Sequence, residues 1–73
     1  MSKCLIGKCL LLNILNKKRM SQADLAAITG ISKTQISEYI GNTRNMSLAN
    51  AILIAHSLKV DVLDLYDYRI VQE

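Results

Sequence analysis

Between Ser21 and Gly41 the chain alternates capping residues and spaced apolar positions in a way that predicts two short helices joined by a tight turn. Ser21 with Asp24 opens the first, over about 22–29, and Ser32 with Gln35 opens the second, over about 33–40. Ser-x-x-Gln is a capping box: the serine oxygen accepts from an orphan amide while the glutamine side chain returns to the cap amide. Ser-x-x-Asp is a weaker form of it. Gly30 falls where a left-handed residue must end one helix and turn the chain. Ala26 is small where the second helix has to come close, and Leu25, Ile31, Ile36 and Tyr39 are spaced to face a shared core.

The same reading extends to both sides. Residues from about 3 to 18 read as a preceding helix, with Leu11, Ile14, Leu15 and Lys18 at helical spacing. Lys17, Lys18 and Arg19 at its end suit the negative pole of a helix dipole. Gly41–Asn45 is a loop by composition. Ser47 caps a further helix to about Leu58, with Leu48, Ala51, Ile52, Ala55 and Leu58 as its buried stripe. Asp61 caps a short last helix to about Leu65. The tail from Tyr66 alternates apolar and polar residues, which fits a strand, a helix extension or a disordered end; a strand paired across a dimer is the sharpest form of the idea.

At 73 residues this is one domain, near the lower size at which a single core suffices. Hydrophobic residues make up 51% of it, without Trp, Phe or Pro, which is more than so small a body buries alone and points to self-association. A net charge of +3 is compatible with a polyanionic partner and modest in size. Cys4 and Cys9 do not share a helix face and lack a second pair or a neighbouring histidine, so reduced packing thiols in the cytoplasm are expected rather than a disulfide or a metal site. His56 stands alone. The apolar start, Cys4–Leu12, is interrupted by Gly7 and Lys8, lacks a small-x-small cleavage site and is far shorter than the roughly 20 residues of a membrane span. Neither a membrane, a cofactor nor a small-molecule ligand is expected. Without a triad, metal cluster or phosphate loop, neither is catalysis.

Residues 11 to 65 resemble the phage-repressor type of helix-turn-helix, the Cro and lambda-repressor-like or XRE family. The marks are Ser21-Gln22, Leu25-Ala26, Gly30-Ile31-Ser32, Ile36-Ser37, Ser47-Leu48, Ala55 with Leu58, and Val60 through Leu65. The resemblance implies an all-α fold, a compact cluster of five helices over residues 1–65 whose third helix enters the major groove, with residues 66–73 as a tail available for a dimer contact. It implies a sequence-specific transcriptional regulator, of the phage or mobile-element repressor kind, that binds a palindromic double-stranded operator as a homodimer. Two departures stand out. Where many members carry an Arg in the first helix and a Glu ending the third, this chain has Leu15 and Ile40. Exchanging both partners of an ion pair for apolar residues is often neutral or stabilising, whereas losing one is costly. In the loop, Asn42 and Met46 replace a customary Gly and Pro, and Asn adopts the left-handed conformation at some cost.

On a helix beginning at Lys33 the outward positions are Lys33, Thr34, Ser37 and Glu38. By the resemblance, Lys33, Thr34 and Glu38 match the usual base-contacting positions. Their chemistry fits: Lys to guanine O6 and N7, the Thr methyl to thymine, Glu to a cytosine amino group. Any solvated helix face also carries such residues, so the motif and not the composition gives them weight. Gln22 matches a position that meets a phosphate together with the helix N-terminus, and Ser32, Asn42, Thr43 and Arg44 are phosphate candidates on the other side of the groove. Leu53, Leu63, Tyr66, Tyr68, Ile70 and Val71 are the expected dimer contacts, being apolar or aromatic where the family is usually polar or has ended. The competing reading is a protein-interaction module on the same fold, an antirepressor, antitoxin or regulator of another repressor. The apolar N-terminal segment favours it.

Overall fold

A computed structural model describes residues 1–72. The order of elements is strand β1 (Ser2–Cys9), helices α1 (Leu11–Lys18), α2 (Gln22–Thr29), α3 (Lys33–Ile40) and α4 (Leu48–Leu58), a 3-10 turn (Val62–Leu65) and strand β2 (Tyr66–Gln72). The all-α, five-helix expectation is therefore wrong at both ends. The expected first helix over 3–18 begins only at Leu11, and its first half is a strand. The expected fifth helix is a single 3-10 turn. The tail is a strand, but it pairs antiparallel with β1 of its own chain, with Cys4 opposite Ile70 and Ile6 opposite Tyr68.

The physical reason lies in reach. A short apolar run fits a strand or a helix equally well until a partner is known, and here the partner strand lies at the other end of the chain, Ser2 facing Gln72 and Cys9 facing Tyr66. Gly7 sits where the register slips between Ile6 and Cys9, and a Cβ there would come within 3.2 Å of the Asp67 carbonyl oxygen. A glycine inside an apolar run often marks such a close approach. The Leu10 N–H donates to the Leu65 carbonyl at 2.8 Å, tying the base of the ribbon to the helical body. All of β1 except Cys9 is exposed, so the ribbon stands clear of the core and the molecule measures 42 Å by 22 by 19.

The core belongs to the helices. Leu11, Leu15, Leu25, Ile36, Ile54, Leu58 and Leu65 are fully buried, with Tyr39, Ile31, Ala51, Ala55 and Cys9 around them. The four residues expected to share a core across α2 and α3 do so. Ile40 is half-buried against the cluster that contains Leu15. On α4 the buried stripe is Ala51, Ile54, Ala55 and Leu58; Leu48 and Ile52, expected inside, are 73% and 50% exposed. That helix is apolar on several sides, and packing, not periodicity, selects the face. Burial raises the Cys9 thiol pKa above its ordinary value.

Candidate nucleic-acid interface

Local chemistry builds the α2–turn–α3 unit residue by residue. Ser21 Oγ accepts from the Asp24 N–H at 3.0 Å while Asp24 returns a carboxylate oxygen to the Ser21 N–H at 3.0 Å, a complete reciprocal box. These bonds hold the Asp24 carboxyl below its ordinary pKa. At α3 only half the expected box forms: Ser32 Oγ accepts from the Gln35 N–H at 3.1 Å. Gly30 closes α2 at φ 77° with open space around its Cβ position, so the dihedral angle and not crowding requires glycine. The Thr29 hydroxyl braces the turn, donating to the Leu25 carbonyl at 2.7 Å and accepting from the Ile31 N–H.

The end of α3 is capped by Gly41 in a right-handed conformation, and the left-handed residue that follows is Asn42 rather than a glycine. A helix leaves its last four carbonyls unpaired, and each finds a donor here. Gly41 N–H serves Ser37, Thr43 N–H serves Glu38, Asn42 N–H serves Tyr39, and the Asn42 side-chain amide reaches Ile40 at 3.4 Å. Asn42 holds φ 61° to do this, and its Oδ1 accepts from the Cys9 N–H at 2.8 Å. Farther along, the Tyr66 hydroxyl accepts from the Met46 N–H at 2.9 Å. The loop between α3 and α4 is thus pinned at two points to the foot of the ribbon.

The candidate base-reading residues come together on one face of α3. Lys33, Thr34 and Ser37 are exposed and Glu38 is half-buried. Ser37 Oγ donates to Gln22 Oε1 at 2.8 Å, and Arg44 Nε lies 3.4 Å from Glu38 Oε1. Gln22 and Arg44, two candidate phosphate contacts, therefore flank the recognition face from α2 and from the loop. Thr43 donates its hydroxyl back to the Glu38 carbonyl at 3.3 Å, and Ser32 and Asn42 are occupied by the capping bonds just described. Among the described residues no group of three or more His, Cys, Asp and Glu is placed to hold a metal ion, and no helix is long and apolar enough to cross a membrane.

Of the expected dimer contacts, Leu63, Tyr66, Tyr68 and Ile70 line a single open groove of about 440 Å³ together with Cys4, Ile6 and Val62. Leu53 lies on α4 outside that lining, and Val71 falls on the opposite ribbon face by strand alternation. Cys4 and Ile6 escaped notice in the sequence because their segment reads as a helix.

A helix-turn-helix family model matches residues 11–65, three quarters of the chain and the whole helical body. The chain belongs to the XRE-type helix-turn-helix family. The SPbeta prophage-derived uncharacterized HTH-type transcriptional regulator YopS of Bacillus subtilis (strain 168) is 38% identical over 71 residues, covering 96% of each chain. The crystal structure of the transcriptional regulator VanUg superposes with a TM-score of 0.71 at 23% identity, over 90% of this chain and 87% of the other, a likeness of fold. Family membership places the chain among DNA-binding transcriptional regulators.

Proposed function

We propose that the chain is a phage- or prophage-type repressor that binds a palindromic operator as a homodimer, with α3 in the major groove. The observation that carries the reading is the convergence on one surface of the exposed face of α3, the N-terminus of α2 with Gln22, and Arg44. Lys33 and Thr34 face the base edges; Gln22, with the free amides of α2, and Arg44 meet phosphates on either side. One module of this size makes few contacts, so two copies spanning half-sites roughly 34 Å apart supply the affinity. The apolar ribbon groove is the dimer face in this reading: its lining residues carry no charge, and an isolated two-stranded sheet is marginal in water until something covers it.

The test is a salt titration of binding to duplex DNA. Each neutralised phosphate contributes about 0.9 to the slope of log affinity against log salt, so a steep decline supports the reading and a salt-insensitive or absent association contradicts it. The dimer is tested by sedimentation. Ile70→Glu places a charge in the groove and is expected to yield a folded monomer with weakened operator binding; a parent chain that sediments as a monomer at all concentrations refutes this face.

A further inference from the structure

Four side chains on the outward face of α3 have the chemistry to read bases, yet the structure does not leave them equally free. We infer that Ser37 and Glu38 are positioning residues that hold the two flanking phosphate contacts, and that Lys33 and Thr34 alone carry the base code. The inference rests on the DNA-binding reading above.

The Ser37 hydroxyl carries one hydrogen, and it is given to Gln22 Oε1 at 2.8 Å. The glutamine amide is oriented to match. Its oxygen is turned to α3, so its NH2 group, which has no partner among the described residues, is presented as a donor. A phosphate oxygen accepts from such a group, whereas an outward amide oxygen would repel it. Ser37 thereby converts a group of either polarity into a donor at the positive end of the α2 dipole. Its own proton is no longer available to a base.

One residue further on, Glu38 performs the matching task for the loop. Its carboxylate draws Arg44 to 3.4 Å. Its main-chain carbonyl accepts both the Thr43 N–H at 3.0 Å and the Thr43 hydroxyl at 3.3 Å. The side chain and backbone of one residue therefore fix where the loop leaves the helix and where its guanidinium sits. The ion pair leaves Arg44 with donors to spare, since a guanidinium has five. It also offsets a negative charge that would otherwise face the phosphates. Lys33 and Thr34 have no such partner: their side chains are exposed, and among the described residues no hydrogen bond or ion pair engages them.

Phosphate contacts orient a protein on DNA and base contacts specify sequence, so the two roles separate in a selection experiment. The parent, Ser37→Ala, Glu38→Gln and Thr34→Ala proteins are each used to enrich duplexes from a random pool, and affinity is then measured on the parent's best sequence. The inference expects Ser37→Ala to bind about five-fold more weakly while enriching the same motif. It expects Glu38→Gln to enrich the same motif too, although glutamine prefers adenine where glutamate prefers cytosine. Thr34→Ala changes the motif. In the Gln22→Ala background, Ser37→Ala has no further effect, because the serine acts through the glutamine. A base preference that shifts with Ser37→Ala or Glu38→Gln overturns the assignment, as does a Ser37→Ala protein with parental affinity or a full loss in the Gln22→Ala background. A folded parent that enriches nothing refutes the DNA reading itself, a separate result.

Discussion

Leu15 and Ile40 offer the severest test of how this core is built. Leu15 is 1% exposed on α1, and Ile40 is half-buried at the end of α3, packed against the same cluster. Leu15→Arg removes a buried leucine side chain, about 2–5 kcal/mol by the usual cost of emptying a core site. It also leaves a buried charge without a partner, a defect of about 3–5 kcal/mol where one member of a buried pair is lost. A domain of 73 residues has roughly 4–11 kcal/mol of stability in all. The single variant is therefore expected to be largely unfolded at neutral pH. Adding Ile40→Glu supplies a carboxylate at a site that still reaches water, so its own desolvation is small and the pair regains several kcal/mol. Urea unfolding followed by far-ultraviolet circular dichroism measures both variants against the parent. A double variant no more stable than the single would refute the claim that these two positions are one exchangeable pair.

Three further outcomes follow from the bonds described above. Asn42→Ala loses two side-chain hydrogen bonds and forces a positive φ on alanine, an expected cost of about 2–4 kcal/mol; Asn42→Gly loses the bonds only, and equal midpoints for the two would show that the left-handed backbone is not what the asparagine supplies. The Asp24 carboxyl is held below its ordinary pKa by the Ser21 amide and hydroxyl, so its contribution is present above the ordinary carboxylate range and is lost as pH falls through the lowered value. Asp24→Asn should narrow the gap in melting temperature between pH 7 and pH 3, and an unchanged gap would count against it. Cys4 lines the ribbon groove and is exposed in the single chain, while Cys9 is buried with its thiol pKa raised, so in the Ile70→Glu monomer iodoacetamide followed by mass spectrometry should label Cys4 first; prompt labelling of Cys9 in the folded monomer would contradict its placement.

How much of this was legible in the sequence depends on how local the deciding interaction is. The helices α2, α3 and α4 announce themselves through their caps Ser21, Ser32 and Ser47, and each serine oxygen accepts an amide N–H three residues on at about 3 Å, although Gln35 does not return its half of the second box. The left-handed Gly30 is equally local. The ribbon was not legible, because what makes Cys4 and Ile6 a strand is Ile70 and Tyr68 at the other end of the chain. Nor was the outward turn of Leu48 and Ile52, since α4 has more apolar residues than one face requires. In the candidate site the sequence marked Ser37, Glu38, Gln22 and Arg44 one by one. It did not show them paired, because the Ser37–Gln22 bond joins two helices and the Glu38–Arg44 contact needs the loop to fold back through Thr43.

The central claim is that α3 reads an operator in two symmetric copies. The most direct measurement is selection of duplexes from a random pool by the purified protein at about 150 mM salt, where non-specific binding is weak. Enrichment of a palindrome whose half-sites lie one helical turn apart is the expected result. A folded protein that enriches no sequence would contradict the account and leave the apolar ribbon as the binding surface for a different protein.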